Sequence, residues 1–419
     1  MTSPSPHSDV LIVGAGPAGL SLAISLAQAG LTATVVEQQP LAALADPAPD
    51  GREIALTHPS RATLERLGTW AELASHEVGC IREAQVHDGP LARHGALQLG
   101  AQGTGHEALG FIVPNHALRR TAHAVAARTP GVRILTGTQV TRVAALPLQA
   151  ELDCMAGEGP PERLHAPLLV AADSRFSATR RQLGIGARMT DFGRTVIVCR
   201  MRHAEPHGGV AHECFGYERT LAVLPLPGDA AGHETGHLCS VVVTAGATDA
   251  AALLALPADA FAAEVQAQFG HRLGAMRLTG ERHAYPLVAT YAQRFAGHRC
   301  ALLGDAAVGM HPVTAHGFNL GLAGVERLTA ALLAARRQGR DIGHAEALAA
   351  YAQAQHRHAW PIYEGTNAIV RLYTDARPVP RLLRQLVLQG ARRLPPLQAA
   401  IVGQLTGKAP GWLRLIQQN

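Results

Sequence analysis

Apolar positions along this chain fall into short runs and longer amphipathic stretches, and their alternation predicts a layered α/β molecule. Val10 to Val13 read as a short buried strand. A helix through Leu20, Leu22, Ile24 and Leu26 follows and ends at Gly30, and Thr32 to Val36 form a second strand. Leu41 to Gly51 is an Ala/Pro/Asp loop, and Glu53 to Leu56 is strand-like. Pro59 to Leu67 reads as a helix closed by Gly68, and Asn115 to Arg128 as a helix followed by strands at Val132 to Leu135 and Gln139 to Val143. Leu168 to Ala172 is a wholly apolar strand. Between about 190 and 285 the pattern changes to strand-like segments such as Thr195 to Met201, Thr220 to Leu226 and Leu238 to Val243. Alternation of that kind predicts an inserted antiparallel sheet. Ala301 to Leu303 is again a short strand. The helix opening at Gly317 carries Leu320, Leu322, Val325, Leu328 and Leu332, and a mainly helical region starts near Ala345.

Chemistry enters with the turn that joins the first strand to the first helix, Gly14-Ala-Gly16-Pro-Ala18-Gly19. Gly14 permits the tight turn, Gly16 lets backbone approach a pyrophosphate, and Gly19 lets helix pack on strand. The N–H groups and dipole of the helix end attract phosphate charge. Glu37 closes the second strand where an acid binds ribose hydroxyls, which argues against a 2′-phosphate on the nucleotide. A second signature, Cys300-Ala-Leu-Leu-Gly304-Asp305-Ala-Ala307, stands far downstream and is followed by His311-Pro312 and Gly317-Phe318-Asn319. Gly304 allows a sharp turn beside a ligand, and Asp305 can accept a hydrogen bond from a ribityl hydroxyl. N–H groups of Gly317, Phe318 and Asn319 at a helix start can stabilise an anionic reduced flavin. The two signatures together suggest one flavin held from both ends of the chain.

The expected organisation is a discontinuous nucleotide-binding domain (8–75, 111–189 and 286–345), a substrate domain (76–110 and 190–285) and a helical C-terminal region (346–419). At 419 residues two or three domains are expected. With 47% hydrophobic and 16% charged residues the chain has ample material for a core, which excludes global disorder. The first eight residues lack the features of a signal peptide, and no stretch approaches the roughly 18 uncharged apolar residues of a membrane span. Cys80, Cys154, Cys199, Cys214, Cys239 and Cys300 form no Cys-x-x-Cys pair, so reduced thiols and a cytoplasmic location are expected. No histidine pattern suggests a metal; His356 and His358 lie on different helix faces. No repeat and no nucleic-acid-binding module occurs.

On these residues the chain resembles the single-component class A flavoprotein monooxygenases of the para-hydroxybenzoate-hydroxylase fold, and within them the UbiH/UbiF/VisC ubiquinone-biosynthesis hydroxylases. The likeness spans about residues 8 to 375. It rests on Gly14 to Gly19, Arg52 before Ile-Ala-Leu, Leu168 to Asp173, Gly304 to Ala307, and His311-Pro-Val-Thr-Ala-His-Gly-Phe-Asn-Leu-Gly321. It implies an α/β fold: a Rossmann-type FAD domain with an inserted, mostly antiparallel substrate sheet and a helical tail. It implies that Arg52 contacts FAD, that Asp173 belongs to a motif serving flavin and nicotinamide, and that Asp305 binds ribityl. Pro312 and Gly317 would lie at the reactive edge of the flavin. The chain departs from the family in having Asp173-Ser174 for Asp-Gly, Thr314-Ala-His316-Gly317 for Ala-Gly-Gln-Gly, and Ala323-Gly324 for Arg-Asp. The Thr-Ala-His-Gly-Phe-Asn variant resembles the UbiM branch, which is similar to 5-demethoxyubiquinol hydroxylases. The departures leave the hydroxylated carbon open.

The activity so implied is hydroxylation of an aromatic ring, in particular a polyprenylated ubiquinone precursor, through a flavin C4a-hydroperoxide. NAD(P)H or another donor acts as transient reductant and dioxygen as co-substrate. His311 and His316 are the titratable groups of the motif, and neither is assigned as a base. Two alternatives stay open: an FAD-dependent reductase or oxidase of the same fold, such as a prenyl reductase, and a non-catalytic flavoprotein of a biosynthetic assembly. From Ala376 to Asn419 the chain carries Arg377, Arg381, Arg384, Arg392, Arg393, Lys408 and Arg414 without an acid, beside Leu382, Leu383, Leu386, Val387, Leu394, Leu397, Ile401 and Leu405. Such a segment can lie on an anionic membrane surface, here the inner face of the cytoplasmic membrane, dock on a partner protein of ubiquinone biosynthesis, or cap its own core.

Overall fold

A computed structural model describes residues 8–89, 96–216, 218–228, 235–310, 317–374 and 395–407. The chain opens with β1 (Val10–Val13), α1 (Pro17–Gln28) and β2 (Ala33–Val36). A short α2 (Leu41–Ala45) precedes β3 (Glu53–Leu56) and α3 (His58–Leu67). Next come β4 (Gly79–Ile81), β5 (Glu83–Asp88), β6 (Leu97–Gly100), β7 (Gly110–Pro114) and α4 (Asn115–Arg128). Five strands follow, β8 (Val132–Leu135), β9 (Thr138–Ala145), β10 (Ala150–Ala156), β11 (Glu162–Ala166) and β12 (Leu168–Ala171), then α5 (Ala178–Gln182). The inserted region contains β13 (Ala187–His203), β14 (Val210–Phe215), β15 (Thr220–Leu226), β16 (Leu238–Gly246), α6 (Ala247–Ala255), α7 (Ala258–Gln268) and β17 (Met276–Ala292). The chain then runs through β18 (Ala296–Gly297), β19 (Cys300–Leu302), β20 (Val308–Gly309), α8 (Gly317–Arg337), α9 (Ala345–Thr374) and α10 (Pro395–Thr406).

The apolar runs of β1, β2 and β12 are continuous because both faces of their sheet are covered. Its order is β18-β19-β12-β1-β2-β8, parallel except at β18. Val10 and Ile12 point into a core shared with α1, α4 and α8, whereas Leu11 and Val13 point to the opposite face, against Val143, Leu152 and Leu164 of the antiparallel β9-β10-β11 sheet. Each residue of these strands therefore removes apolar surface from water, at roughly 25 cal/mol per Å².

The inserted sheet has the order β20-β17-β13-β16-β15-β14-β5-β6 and is antiparallel except where β14 lies parallel to β5. Alternation gives it two faces. Ile197, Cys199, Val241 and Val243 point outward under α6 and α7. Val198, Val242, Ala222 and Phe215 point inward, toward a small sheet of β3, β7 and β4. α10 closes this side, with Ile401, Val402 and Leu405 packed beside Leu97, Leu99 and Ile112.

Several expectations change. Leu41–Gly51 is not wholly a loop, since it contains α2. α6 and α7 stand where only strands were read, although Ala250, Leu253, Phe261, Ala262 and Val265 recur at helical spacing. The strands β13 and β17 pair with each other along their length and run across the expected boundaries near 190 and 285. The segment 76–110 is shared between two sheets, because β4 joins β7 whereas β5 and β6 join the large sheet. Of the three readings of the C-terminal apolar side, Ile401 and Leu405 follow the one in which it caps the protein's own core. Arg377, Arg381, Arg384, Arg392, Arg393, Lys408 and Arg414 lie outside the described residues, as do Leu382, Leu383, Leu386, Val387 and Leu394. Among the described residues one helix, α8, is long and apolar enough to cross a membrane, with a mean hydropathy of 1.2. It is a core helix here, with Leu320, Val325, Leu328 and Leu332 buried.

Candidate active site

The glycine-rich turn is built by exclusion. Gly14 has φ +107°, and a Cβ there would lie 2.6 Å from the Ala172 carbonyl oxygen. A Cβ on Gly19 would lie 2.1 Å from the Gly14 oxygen. Gly16 is different: its Cβ would meet no protein atom within 4 Å. Two glycines are thus demanded by the fold, and the third faces open space at the start of α1, whose first turn no side chain caps. Uncapped N–H groups at a helix start are the partners that a pyrophosphate needs. Glu37, at the end of β2, accepts from the Ala15 N–H at 2.8 Å and the Gln39 N–H at 2.9 Å, which holds its carboxylate beside the turn.

The two ends of the chain meet at Ala18. Cβ atoms built on Gly304 and Gly321 would lie 3.2 and 3.6 Å from the Ala18 Cβ, so these glycines form a slot for it. Asp305 stands next to that slot in a single 3-10 turn and accepts from Arg175 Nη2 at 3.1 Å. Arg175 also donates to the Val288 carbonyl at 3.0 Å. Beneath it, buried Arg180 donates to the Arg175 and Ala306 carbonyls at 3.1 and 3.0 Å. Asp173 accepts from the Ser177 hydroxyl at 2.5 Å and the Thr179 N–H at 3.2 Å, so its carboxylate organises the start of α5. The turn at Ser174 needs no left-handed residue.

Arg52 is held by Asp50, with Nε 2.9 Å and Nη2 2.5 Å from Oδ2, and its guanidinium lies 5.5 Å from the Tyr285 ring centre. Burial pushes the Asp50 carboxyl up, but Arg52 and a hydrogen bond from Asn115 outweigh it and hold the group below its usual value. Gly317 opens α8 with free space about its Cα. Phe318 packs in the cluster of Leu56, Phe111 and Leu322. The Asn319 side chain accepts from the Thr57 N–H at 3.0 Å and donates to the Ala55 carbonyl at 2.9 Å, which stitches the start of α8 to β3. His311, Pro312 and His316 lie outside the described residues.

One ion pair here went unread in the sequence. Glu53 is 1% exposed and meets Arg200 Nη2 at 2.7 Å across the gap between β3 and β13. Burial raises its pKa to about 7 despite Arg200, and its second oxygen has no partner. An acid within an apolar strand was the available signal. Arg175 and Arg180 were also missed, because their partners come from segments more than a hundred residues away.

The residues present fit FAD. The open side of Gly16, the uncapped α1, Glu37 and the glycine slot next to Asp305 are groups that could hold a pyrophosphate, a ribose and a ribityl chain. The family described as "FAD binding domain" matches residues 7–366. Ubiquinone hydroxylase UbiM of Neisseria meningitidis is 44% identical over 405 residues, covering 96% of this chain and 85% of that protein. Ubiquinone hydroxylase UbiL of Rhodospirillum rubrum is 35% identical over 404 residues, covering 96% and 90%. 3-Demethoxyubiquinol 3-hydroxylase of Escherichia coli is 26% identical, covering 92% and 95%. Among solved structures, p-nitrophenol 4-monooxygenase of Pseudomonas putida superimposes with a TM-score of 0.75 at 18% identity, over 96% of this chain and 99% of that one.

Proposed function

The chain belongs to the FAD-binding-domain family of class A flavoprotein monooxygenases, and from that premise we propose that it hydroxylates the ring of a polyprenylated ubiquinone precursor. In the overall change a ring C–H becomes C–OH. One atom of dioxygen enters the product and the other leaves as water, with two electrons drawn from NAD(P)H. FAD, when bound, supplies the activation of dioxygen.

The remaining work belongs to this chain. Gly16, the first turn of α1 and Glu37 would hold the adenosine half of the cofactor, and Asp305, steadied by Arg175, would present its carboxylate to the ribityl chain. The start of α8, fixed to β3 through Asn319, would offer its N–H groups to the flavin ring. The observation that carries the substrate class is the 44% identity, over 96% of this chain, to a ubiquinone hydroxylase. Ala222, Val242 and Val198, on the inward face of the inserted sheet, are apolar, which suits a lipophilic ring. The same reading places the enzyme at the cytoplasmic face of the membrane that holds polyprenyl lipids, where anionic vesicles should bind it in a salt-sensitive manner.

The test is oxygen labelling with a short-chain prenyl phenol. Label from dioxygen should appear in the new hydroxyl. Label from water, or product formed without oxygen, would overturn the reading.

A further inference from the structure

We propose that Glu213 is the polar anchor of the substrate chamber, the group that hydrogen-bonds a ring hydroxyl of a phenol or quinol and turns away rings that carry a carboxylate. The proposal rests on the reading of this chain as a ring hydroxylase.

Placement comes first. Successive residues of a strand face opposite sides. On β14, Cys214 points outward into the core beneath α6 and α7, while Ala211 and Phe215 point inward. Glu213 therefore points inward, toward the side on which Ala55 of β3 lies. In register it is flanked by Val86 of β5 and Ala222 of β15, and Val242 of β16 lies beyond Ala222. No hydrogen bond or ion pair joins it to any described residue. The side chain is half-buried, so its carboxyl is crowded by apolar neighbours and still open to a small partner. An unpaired carboxyl in such surroundings is costly, and is kept where a ligand completes its bonds.

The electrostatics agree. Burial raises the pKa of Glu213 to about 8, and no neighbouring charge offsets it. At neutral pH the group is a carboxylic acid that can donate to and accept from one hydroxyl. Arg200, a cation on the same face, is already paired with Glu53. His212 and Cys214 face the other side, His212 stacking with His87, and Asp88 ends the neighbouring strand.

FAD-loaded wild type, Glu213→Gln and Glu213→Leu would be titrated with 2-prenylphenol and with 4-hydroxybenzoate, following flavin absorbance and hydroxylated product. Wild type should prefer prenylphenol by roughly tenfold or more, and its affinity should fall above about pH 8. Glu213→Leu should raise KM for prenylphenol by roughly tenfold or more with flavin content unchanged. Glu213→Gln should retain most of the affinity and lose the fall at high pH. The anchor is overturned if Glu213→Leu binds and turns over prenylphenol as wild type does, or if Glu213→Gln keeps the wild-type pH profile. Should Glu213→Leu lose FAD, the Gln profile decides. Wild type that oxygenates prenylphenol while both variants match it rejects the anchor alone. Wild type that oxygenates no phenol or quinol rejects the hydroxylase reading, and the anchor with it.

Discussion

Gly16 and Gly19 lie three positions apart in one turn and differ in what a methyl group would meet. At Gly19 it would strike the Gly14 carbonyl, so Gly19→Ala should destabilise the protein itself, by about 2 kcal/mol or more. At Gly16 it would enter open space, so Gly16→Ala should leave the melting temperature of the flavin-free protein unchanged and sharply lower FAD retention on gel filtration. Loss of both properties in both variants would remove the distinction. Glu213 gives a pH signature. Its folded pKa is near 8 against an ordinary 4.5, so the folded state holds a proton that the unfolded state has lost. Stability of wild type relative to Glu213→Gln should therefore fall as pH rises from about 4.5 to about 8 and level off above. Thermal melts at pH 5 and pH 8.5 would show it. The glycines and Glu37 were legible because their roles lie within one local unit. Glu53, Arg175 and Glu213 were not, since their surroundings are set by strands distant in sequence.

The Asn319 side chain acts between elements. Its amide satisfies the Thr57 N–H and the Ala55 carbonyl, so Asn319→Leu leaves both groups without those bonds. The expected cost is about 1–3 kcal/mol, with weaker FAD retention because the start of α8 is no longer held to β3. Urea unfolding with and without added FAD measures both effects. Helices were the legible elements. Thr57 caps α3 through the Ser60 N–H, and Gly68 closes it at φ +81° in the left-handed region that favours glycine. Strand ends were less legible, because β13 and β17 end where their mutual pairing ends, and no local residue marks that point. The leucine and alanine pattern of α2 is masked by its proline-rich flanks.

At the scale of the whole molecule, α10 lies across the chamber side of the inserted sheet. Val402 is 9% exposed there, so Val402→Asp should lower stability by about 1–3 kcal/mol and expose apolar surface. A melt and a dye-binding assay would check it. Unchanged stability would mean that the tail is an appendage rather than a cap. The fold class was legible from the change of rhythm near residue 190, but the closing role of α10 was not, since amphipathy says that a face is covered and not by what. The slot formed by Ala18, Gly304 and Gly321 has a consequence for biosynthesis. Gly321 leaves the ribosome about 300 residues after Ala18, roughly 15 to 60 s later at ordinary elongation rates. For that interval the nascent chain owns half a cofactor site, while β13 to β17, all made before residue 300, can already pair. Flavin capture is therefore a late event that waits for the synthesis of α8. Stalled or clipped translation products should be colourless, and the yellow of the mature protein is a mark that synthesis has passed α8.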